Sequence, residues 1–418
     1  MHPNAIQNLN SRINGSLQNC DIENTWPKFS SYTSHVEKLA NEVLKFKKDW
    51  LTDLDIYSIF IDLVYSAIIS HKPENTELNG KLNNILNDAE FSALEKNISS
   101  YIQSIPRTYK AYFPLPSITG LNKNINISSN FTLENNDFLS NAFENMHYNS
   151  LSSFGNHENK TTQHYLTFEI KGYCSSNSLS STPVNALNTF KITMQQAISK
   201  NFFSRKNNTA SGLGLIWANQ THTIPKYQMI FIDQNESVAK KIKLELPMEI
   251  CRLLESHAFD QNNSDIKLII AQNQIDTVIK TMLNDSALLH STELAEAKRI
   301  KAAIIWAFDS YINDNQTMSF IQNCIGLEAL YGDEDDQENL TKTLSDRCAY
   351  LISNNIKGRK AVREKFRKLY SIRSKIIHGN ATTLAESEND FLRWGNSILQ
   401  YSITKEIKHL ELEKIVNK

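Results

Sequence analysis

Residues 357–380 read KGRKAVREKFRKLYSIRSKIIHGN, and the fold of the C-terminal part of the chain is predicted from this stretch. Its apolar residues recur at intervals of three and four, the spacing of one face of an amphipathic helix: Val362, Phe366, Leu369, Ile372 and Ile376. Between residues 357 and 375 there are nine Lys and Arg and a single acidic residue, so the opposite face is predicted to be strongly cationic. Gly379 follows where the C-terminal cap of such a helix is expected.

The basic stretch is the fourth of five amphipathic helices predicted in this part of the chain. They cover about residues 292–312, 317–331, 339–354, 358–378 and 387–411. Helices of this length with short polar connections predict a compact bundle, which we place at residues 271–418.

The rest of the chain is predicted to have other kinds of secondary structure. Residues 1–110 are predicted to be a helical N-terminal region, and residues 111–270 a mixed α/β middle domain. The middle domain is predicted from one helical stretch at 184–203, a long loop at 130–160, and short β-type runs at 125–127, 165–173, 212–217, 227–232 and 242–246. The predicted fold class is therefore multidomain α+β.

The composition excludes several classes of protein. The 418 residues hold 44 Lys and Arg against 45 Asp and Glu, so only a local patch would bind nucleic acid electrostatically. The five cysteines form no C-x-x-C pair, which indicates neither a disulfide framework nor a zinc site. No secretory signal is visible, and the apolar run 56–69 is too short to cross a bilayer. We therefore expect a cytoplasmic protein without a membrane partner.

Cofactor motifs are missing from the sequence. There is no phosphate-binding G-x-x-x-x-G-K-[S/T] loop, and Gly212-Leu213-Gly214 lacks the third glycine of a dinucleotide site. No H-E-x-x-H motif or aspartate-rich calcium loop occurs either. We expect neither cofactor nor metal, and the alternative of a metal or nucleotide enzyme in residues 111–270 has no motif in its favour.

A cationic helix face in an otherwise neutral chain attracts a polyanion, and RNA is the expected partner. The alternative is a solvated helix whose basic face pairs with the acidic residues at 333–338. The helix ends in Arg373 and His378, a permanently charged donor fork suited to phosphate oxygens and a group that titrates near neutrality. Together they supply the proton transfer and charge stabilisation that metal-free cleavage of an RNA phosphodiester needs. The spacing alone is weak support, because it recurs at Arg252 and His257.

Three sequence segments surround or include Arg373 and His378, and no comparable segments accompany Arg252 and His257. They read FIQNCIGLEALYG at 320–332, LSDRCAYL at 344–351 and LYSIRSKIIHG at 369–379. In this order and spacing they resemble the HEPN superfamily, most closely the Apea-like HEPN domains of bacterial anti-phage proteins. The resemblance covers about residues 292–411.

The resemblance implies a helical bundle that forms a homodimer, with Arg373 and His378 as the catalytic residues of a composite, metal-independent ribonuclease site at the dimer interface. It also implies a set of residues that bind RNA or orient the site: Ser374, Lys375, Asn380, Glu328, Arg347 and Tyr370. Two alternatives stay open here, a buried ion pair between Glu328 and Arg347 and a simple packing role for Tyr370.

The leading hypothesis is an endoribonuclease of anti-phage defence or of toxin type, which cleaves RNA through attack of the 2′-OH. Residues 1–270 would then sense a phage-derived trigger or hold the nuclease inactive. The alternative is a catalytically inactive HEPN bundle that binds RNA or protein and dimerises. Geometry separates the two, because a nuclease needs Arg373 and His378 exposed in a cleft, whereas an inactive bundle leaves them buried or paired with Glu328.

Overall fold

The computed structural model describes residues 2–29, 35–71, 77–118, 121, 123–135, 164–175, 181–206, 226–235, 241–259, 275–332 and 340–416. Within these residues the chain is a mixed α+β protein with a helical C-terminal region, as the sequence predicts. The predicted strand at 212–217, most of the predicted loop at 130–160 and the acidic residues 333–338 lie outside the described residues.

The described residues form thirteen α-helices, numbered in chain order: α1 Pro3–Gln18, α2 Val36–Lys47, α3 Asp53–His71, α4 Leu82–Ile85, α5 Asp88–Ser104, α6 Ser181–Ser199, α7 Met248–Ser256, α8 Ile275–His290, α9 Ala295–Ile312, α10 Gln316–Tyr331, α11 Leu340–Ile352, α12 Ile356–Ile377 and α13 Asn389–Val416. A 3₁₀ turn at Glu386–Glu388 precedes α13. Helices α9 to α13 confirm the five helices predicted from the sequence, to within a few residues.

The same residues form eleven strands: β1 Cys20–Glu23, β2 Trp26–Phe29, β3 Gly80–Lys81, β4 Arg107–Pro114, β5 Ile125–Ser128, β6 Phe131–Asn135, β7 His164–Gly172, β8 Phe203–Arg205, β9 Gln228–Asp233, β10 Lys241–Glu245 and β11 His257–Phe259. Strands β5, β7, β9 and β10 confirm four of the predicted runs. Strand β6 corrects the prediction that residue 130 begins a long loop, since β6 pairs antiparallel with β5 and β7.

The N-terminal region is not purely helical, so that part of the prediction was wrong. Strands β1, β2 and β3 form an antiparallel sheet in the order β2–β1–β3. The β1–β2 hairpin turns at Asn24 and Thr25, whose φ angles of 51° and 67° are those of a tight hairpin turn. Strands this short show too little alternation to be recognised from the sequence.

Two further sheets are present in the described residues. One has six strands in the order β10–β9–β4–β7–β6–β5, and the other pairs β8 antiparallel with β11. Buried aromatic rings line β4, β6 and β7, where Phe113 and Phe131 each stack on Phe168 at 5.7 Å between ring centroids. Such aromatic contacts between strands stabilise a sheet beyond its backbone hydrogen bonds.

The chain forms two compact units. The first comprises Met1–Ala111, Glu169–Ala186 and Ile230–Leu244, and the second comprises Tyr112–Phe168, Leu187–Met229 and Glu245–Lys418. The first unit has its own core, in which α1, α2, α3 and α5 bury residues such as Leu9, Leu39, Phe60 and Ile98. The predicted segments 1–110, 111–270 and 271–418 stay a prediction.

The second unit holds the C-terminal bundle that positions the candidate site. Helix α9 packs along α10, α13 packs on both, and α11 packs along α12. The bundle buries an apolar cluster that includes Ile304, Phe320, Phe366 and Leu399. Gly326 lets α13 approach α10 closely, because a Cβ there would lie 2.7 Å from Leu399 Cδ2.

Candidate nucleic-acid interface on helix α12

Both ends of α12 are fixed by local capping. At its start, the Asn355 side chain accepts a hydrogen bond of 2.7 Å from the Gly358 N–H. At its end, Gly379 has a φ of +74°, and its N–H donates to the Ile376 carbonyl at 3.2 Å. The predicted glycine cap is therefore confirmed. It leaves His378 as the residue at which the chain turns away from the helix.

The apolar and cationic faces of α12 separate as predicted. Phe366, Leu369, Tyr370 and Ile372 are buried in the bundle core. Six of the nine cations counted in the sequence are exposed: Lys357, Lys360, Lys365, Arg367, Lys368 and Lys375. None of these six forms an ion pair within the described part of the chain. The acidic residues 333–338, with which the alternative would pair them, lie outside that part.

The other three cations of α12 are half-buried arginines held by the protein itself. The Arg359 Nε donates to the Ser353 carbonyl at 2.9 Å, and Arg363 forms an ion pair with Asp346 of α11. The guanidinium groups of Arg359 and Arg363 are thus engaged by the protein, unlike the six exposed cations.

Arg373, the third of these arginines, is paired with Glu328 of α10. Its Nη2 lies 3.0 Å from Glu328 Oε1 and 3.1 Å from Oε2, and the two side chains are only 27% and 21% exposed. The ring centroid of Tyr370 lies 6.0 Å from the guanidinium carbon. Arg373 is therefore not exposed in an open cleft as the nuclease hypothesis expects, and its pairing with Glu328 is the arrangement expected of an inactive bundle.

Burial dominates the electrostatics around this pair. It raises the pKa of Glu328 above its ordinary value, and the positive charge of Arg373 only partly opposes this effect. Burial also raises the pKa of Tyr370 well above its usual value, and the Tyr370 hydroxyl donates to the Cys324 carbonyl at 3.3 Å. The guanidinium thus sits in a largely desolvated pocket with one carboxylate as its counter-charge.

The two predicted catalytic residues, Arg373 and His378, leave α12 in different directions. Five residues turn an α-helix by about 140° beyond a full turn, so Arg373 and His378 leave α12 on different sides. Arg373 faces α10 and is half-buried, whereas His378 is exposed at the helix end. The structure thus places the arginine in a half-buried ion pair and leaves the histidine in solvent.

The remaining predicted site residues divide into exposed and packed ones. Ser374, Lys375 and Asn380 are exposed at the end of α12. Arg347 donates to the Tyr331 carbonyl, and Glu328 pairs with Arg373 in place of the alternative ion pair with Arg347. Tyr370 is 6% exposed and stacks on Phe366 at 4.8 Å between centroids, so it packs in the core, the alternative that the sequence left open for it.

The second Arg-x4-His pair has the reverse arrangement. Arg252 is exposed and pairs with the exposed Asp314 at 2.7 Å. His257 is 2% exposed, and its ring is hydrogen-bonded to the Leu253 carbonyl at 3.0 Å and to the Tyr311 hydroxyl at 2.7 Å. His257 is therefore a structural residue.

Sequence reasoning overlooked Tyr350 of α11. The residue is 58% exposed, and its ring lies against Arg359 and Arg363 of α12. A cavity of about 530 Å³ next to it is lined by charges of both signs: Glu296, Arg299, Asp346, Arg347, Glu406 and His409. No local pattern marks Tyr350, because its contacts join two helices.

Neither a protein-family model nor a curated protein nor a solved structure matches this chain. Among the described residues, no three His, Cys, Asp or Glu side chains are grouped as ligands for a metal ion. None of the described helices combines the length and hydropathy that a bilayer crossing requires.

Proposed function

We propose that this chain is a metal-independent endoribonuclease of the HEPN type, acting in anti-phage defence or as a toxin. One observation carries the proposal: six exposed cations without an ion-pair partner in the described chain cover a helix that ends at the exposed His378. A cationic surface of this kind binds a phosphate backbone, and the imidazole at its end is a group that can accept and donate a proton.

The proposed reaction uses only groups of the protein and the RNA. His378 accepts the proton of the 2′-OH, the 2′-oxygen attacks phosphorus, and the bond from phosphorus to the 5′-oxygen breaks as that oxygen takes the proton from the His378 imidazolium. Arg373 stabilises the negative charge that develops on the phosphoryl oxygens. The products are a 2′,3′-cyclic phosphate and a 5′-hydroxyl.

A second copy of the chain is part of this proposal. Arg373 and His378 lie about 140° apart around one helix, and we propose that the arginine of one copy acts together with the histidine of a second copy. We therefore propose a homodimer in which two copies of α12 meet near their C-terminal ends. Glu328 then acts as the residue that orients the guanidinium, and residues 1–270 contain the sensor of a phage-derived trigger.

A second candidate function is favoured by the Arg373–Glu328 pair itself. A guanidinium already neutralised by a half-buried carboxylate at 3.0 Å stabilises a phosphoryl charge poorly. The cationic face of α12 then belongs to an inactive HEPN bundle that binds RNA or protein and dimerises.

The test is RNA cleavage by the full chain in EDTA, with analysis of the product ends. We expect cyclic phosphate ends and at least about a 100-fold loss of rate in His378→Ala. His409→Ala removes another exposed histidine of the bundle and serves as the matched control, with an unchanged rate expected. A wild-type chain that binds RNA without cutting it supports the inactive bundle, and equal rates for His378→Ala and wild type contradict the nuclease.

A further inference from the structure

A row of exposed side chains runs along one side of α12. Arg367 and His378 follow Lys360 at offsets of 7 and 18 residues, about two and five turns at 3.6 residues per turn. All three side chains are exposed and therefore share one solvent-facing line. A nucleic-acid strand that follows this line reaches His378 at one end and the start of the helix at the other.

Tyr350 lies at the Lys360 end of this row. The guanidinium carbon of Arg359 lies 4.2 Å from the Tyr350 ring centroid, and that of Arg363 lies at 5.6 Å. Tyr350 as a whole residue is 58% exposed, which is more than a ring covered on both faces would allow, so one face of the ring is open to solvent. Arg359 and Arg363 flank Lys360 in the helix, which places the open ring beside the row.

The arginines behind the ring are held in place by other contacts. Arg359 donates to the Ser353 carbonyl, and Arg363 pairs with Asp346, so neither guanidinium has to be ordered when a ligand arrives. An aromatic ring backed by a fixed cation loses little freedom on binding. The arrangement is preorganised for a flat ligand on the open face.

We propose that Tyr350, backed by Arg359 and Arg363, is a stacking subsite for one unpaired nucleobase. This inference rests on the proposed function, because it assumes that RNA follows the cationic row of α12. A stacking site requires a base that is free of its own partner, since the bases of a duplex are stacked on each other. The structure therefore assigns a single-stranded segment to this end of the helix, remote from His378.

The experiment measures binding of a fluorescent 2′-O-methyl oligouridine, which cannot be cleaved through its 2′-oxygen, to the full chain. A length-matched abasic oligonucleotide presents the same phosphates without bases. Tyr350→Ala is expected to weaken binding of the oligouridine about ten-fold, the typical contribution of one stacked base, and to leave binding of the abasic strand unchanged. Tyr350→Phe keeps the ring and is expected to bind like the wild type.

Tyr401 of α13 provides the matched control. Tyr401 is 46% exposed and its ring centroid lies 5.4 Å from the Lys405 ammonium nitrogen. Tyr401→Ala therefore removes a similar ring from outside α12 and is expected to bind oligouridine like the wild type.

If Tyr350→Ala binds oligouridine as tightly as the wild type, the proposal of a stacking subsite is wrong, but the proposal that the chain binds RNA is unaffected. If Tyr350→Ala weakens both strands equally, the ring only positions the arginines, which also overturns the subsite. If the wild type binds neither strand, the subsite and the proposed function fail together.

Discussion

The two Arg-x4-His pairs stand at the ends of two helices, and their burial is reversed. In α12 the arginine is half-buried and the histidine is exposed, whereas in α7 Arg252 is exposed and His257 is 2% exposed. Both histidines directly follow the last residue of their helix. The two arginines also differ in their acidic partners, a side chain 21% exposed for Glu328 and one 78% exposed for Asp314.

The Arg-x4-His spacing sets the angle between the two side chains around the helix, but it does not determine which of the two is buried. Residues five apart on a helix point about 140° apart, so packing that buries one member of the pair tends to expose the other. The side on which the helix packs then decides whether the histidine or the arginine meets the solvent. Only the pair at α12 presents an exposed histidine to a possible substrate.

The largest effect is expected when the two histidines are exchanged for alanine. His378→Ala should lower RNA cleavage at least about 100-fold without changing the melting temperature, because the side chain is exposed. His257→Ala should remove the ring's hydrogen bonds to the Leu253 carbonyl and the Tyr311 hydroxyl and destabilise the fold by about 1–3 kcal/mol. Cleavage rates and thermal unfolding of both variants test this; a large fall in the melting temperature of His378→Ala would contradict the assignment.

Replacing Arg373 should lower the free energy of unfolding more than replacing Arg252. Arg373→Ala leaves Glu328 largely buried without its counter-charge, so urea denaturation should show a loss of about 1–3 kcal/mol in the free energy of unfolding. Arg252→Ala breaks an exposed pair, for which a loss below about 1 kcal/mol is expected. Equal losses in the two variants would show that the Glu328 pair contributes no more than a surface pair.

The pH dependence of stability should have opposite signs at the two sites. Burial raises the pKa of Glu328 from 4.5, so its contribution is present below pH 4.5 and is lost as the pH rises through the folded-state pKa. Burial lowers the pKa of His257 from 6.5, so its contribution is present above pH 6.5 and is lost as the pH falls through the folded-state pKa. Urea denaturation of Glu328→Gln and His257→Gln across pH 4–8, each compared with the wild type, measures both signs. Differences that do not vary with pH would refute the assigned causes.

The smallest effect is expected at the helix ends. Gly379→Ala places a Cβ at a φ of +74°, with nothing within 4 Å of it, so the expected loss of about 1 kcal/mol comes from backbone strain alone. Gly379→Asn should lose less, because asparagine tolerates the left-handed region. At the end of α7, His257 has a φ of −113° and needs no glycine. If denaturation shows that Gly379→Asn is less stable than Gly379→Ala, this explanation of the cap is wrong.

Local patterns were enough to predict the helices of the bundle. The recurrence of Phe366, Leu369 and Ile372 fixes which face of α12 is buried, and Gly379 marks its end, because both signals arise within a few residues of chain. The strands β1 to β3 escaped prediction for the opposite reason. They are two to four residues long and are stabilised by partners up to about sixty positions away.

The residues of α12 alone specify a cationic amphipathic helix with a histidine at its capped end. Three further features follow from the packed bundle: Arg373 pairs with Glu328, Tyr370 is buried, and Tyr350 presents an open ring next to Arg359. Each of these facts is a contact between different helices, and such contacts depend on how the bundle packs as a whole. Residue spacing along one helix specifies directions around its axis, but the neighbours that lie in those directions come from distant parts of the chain.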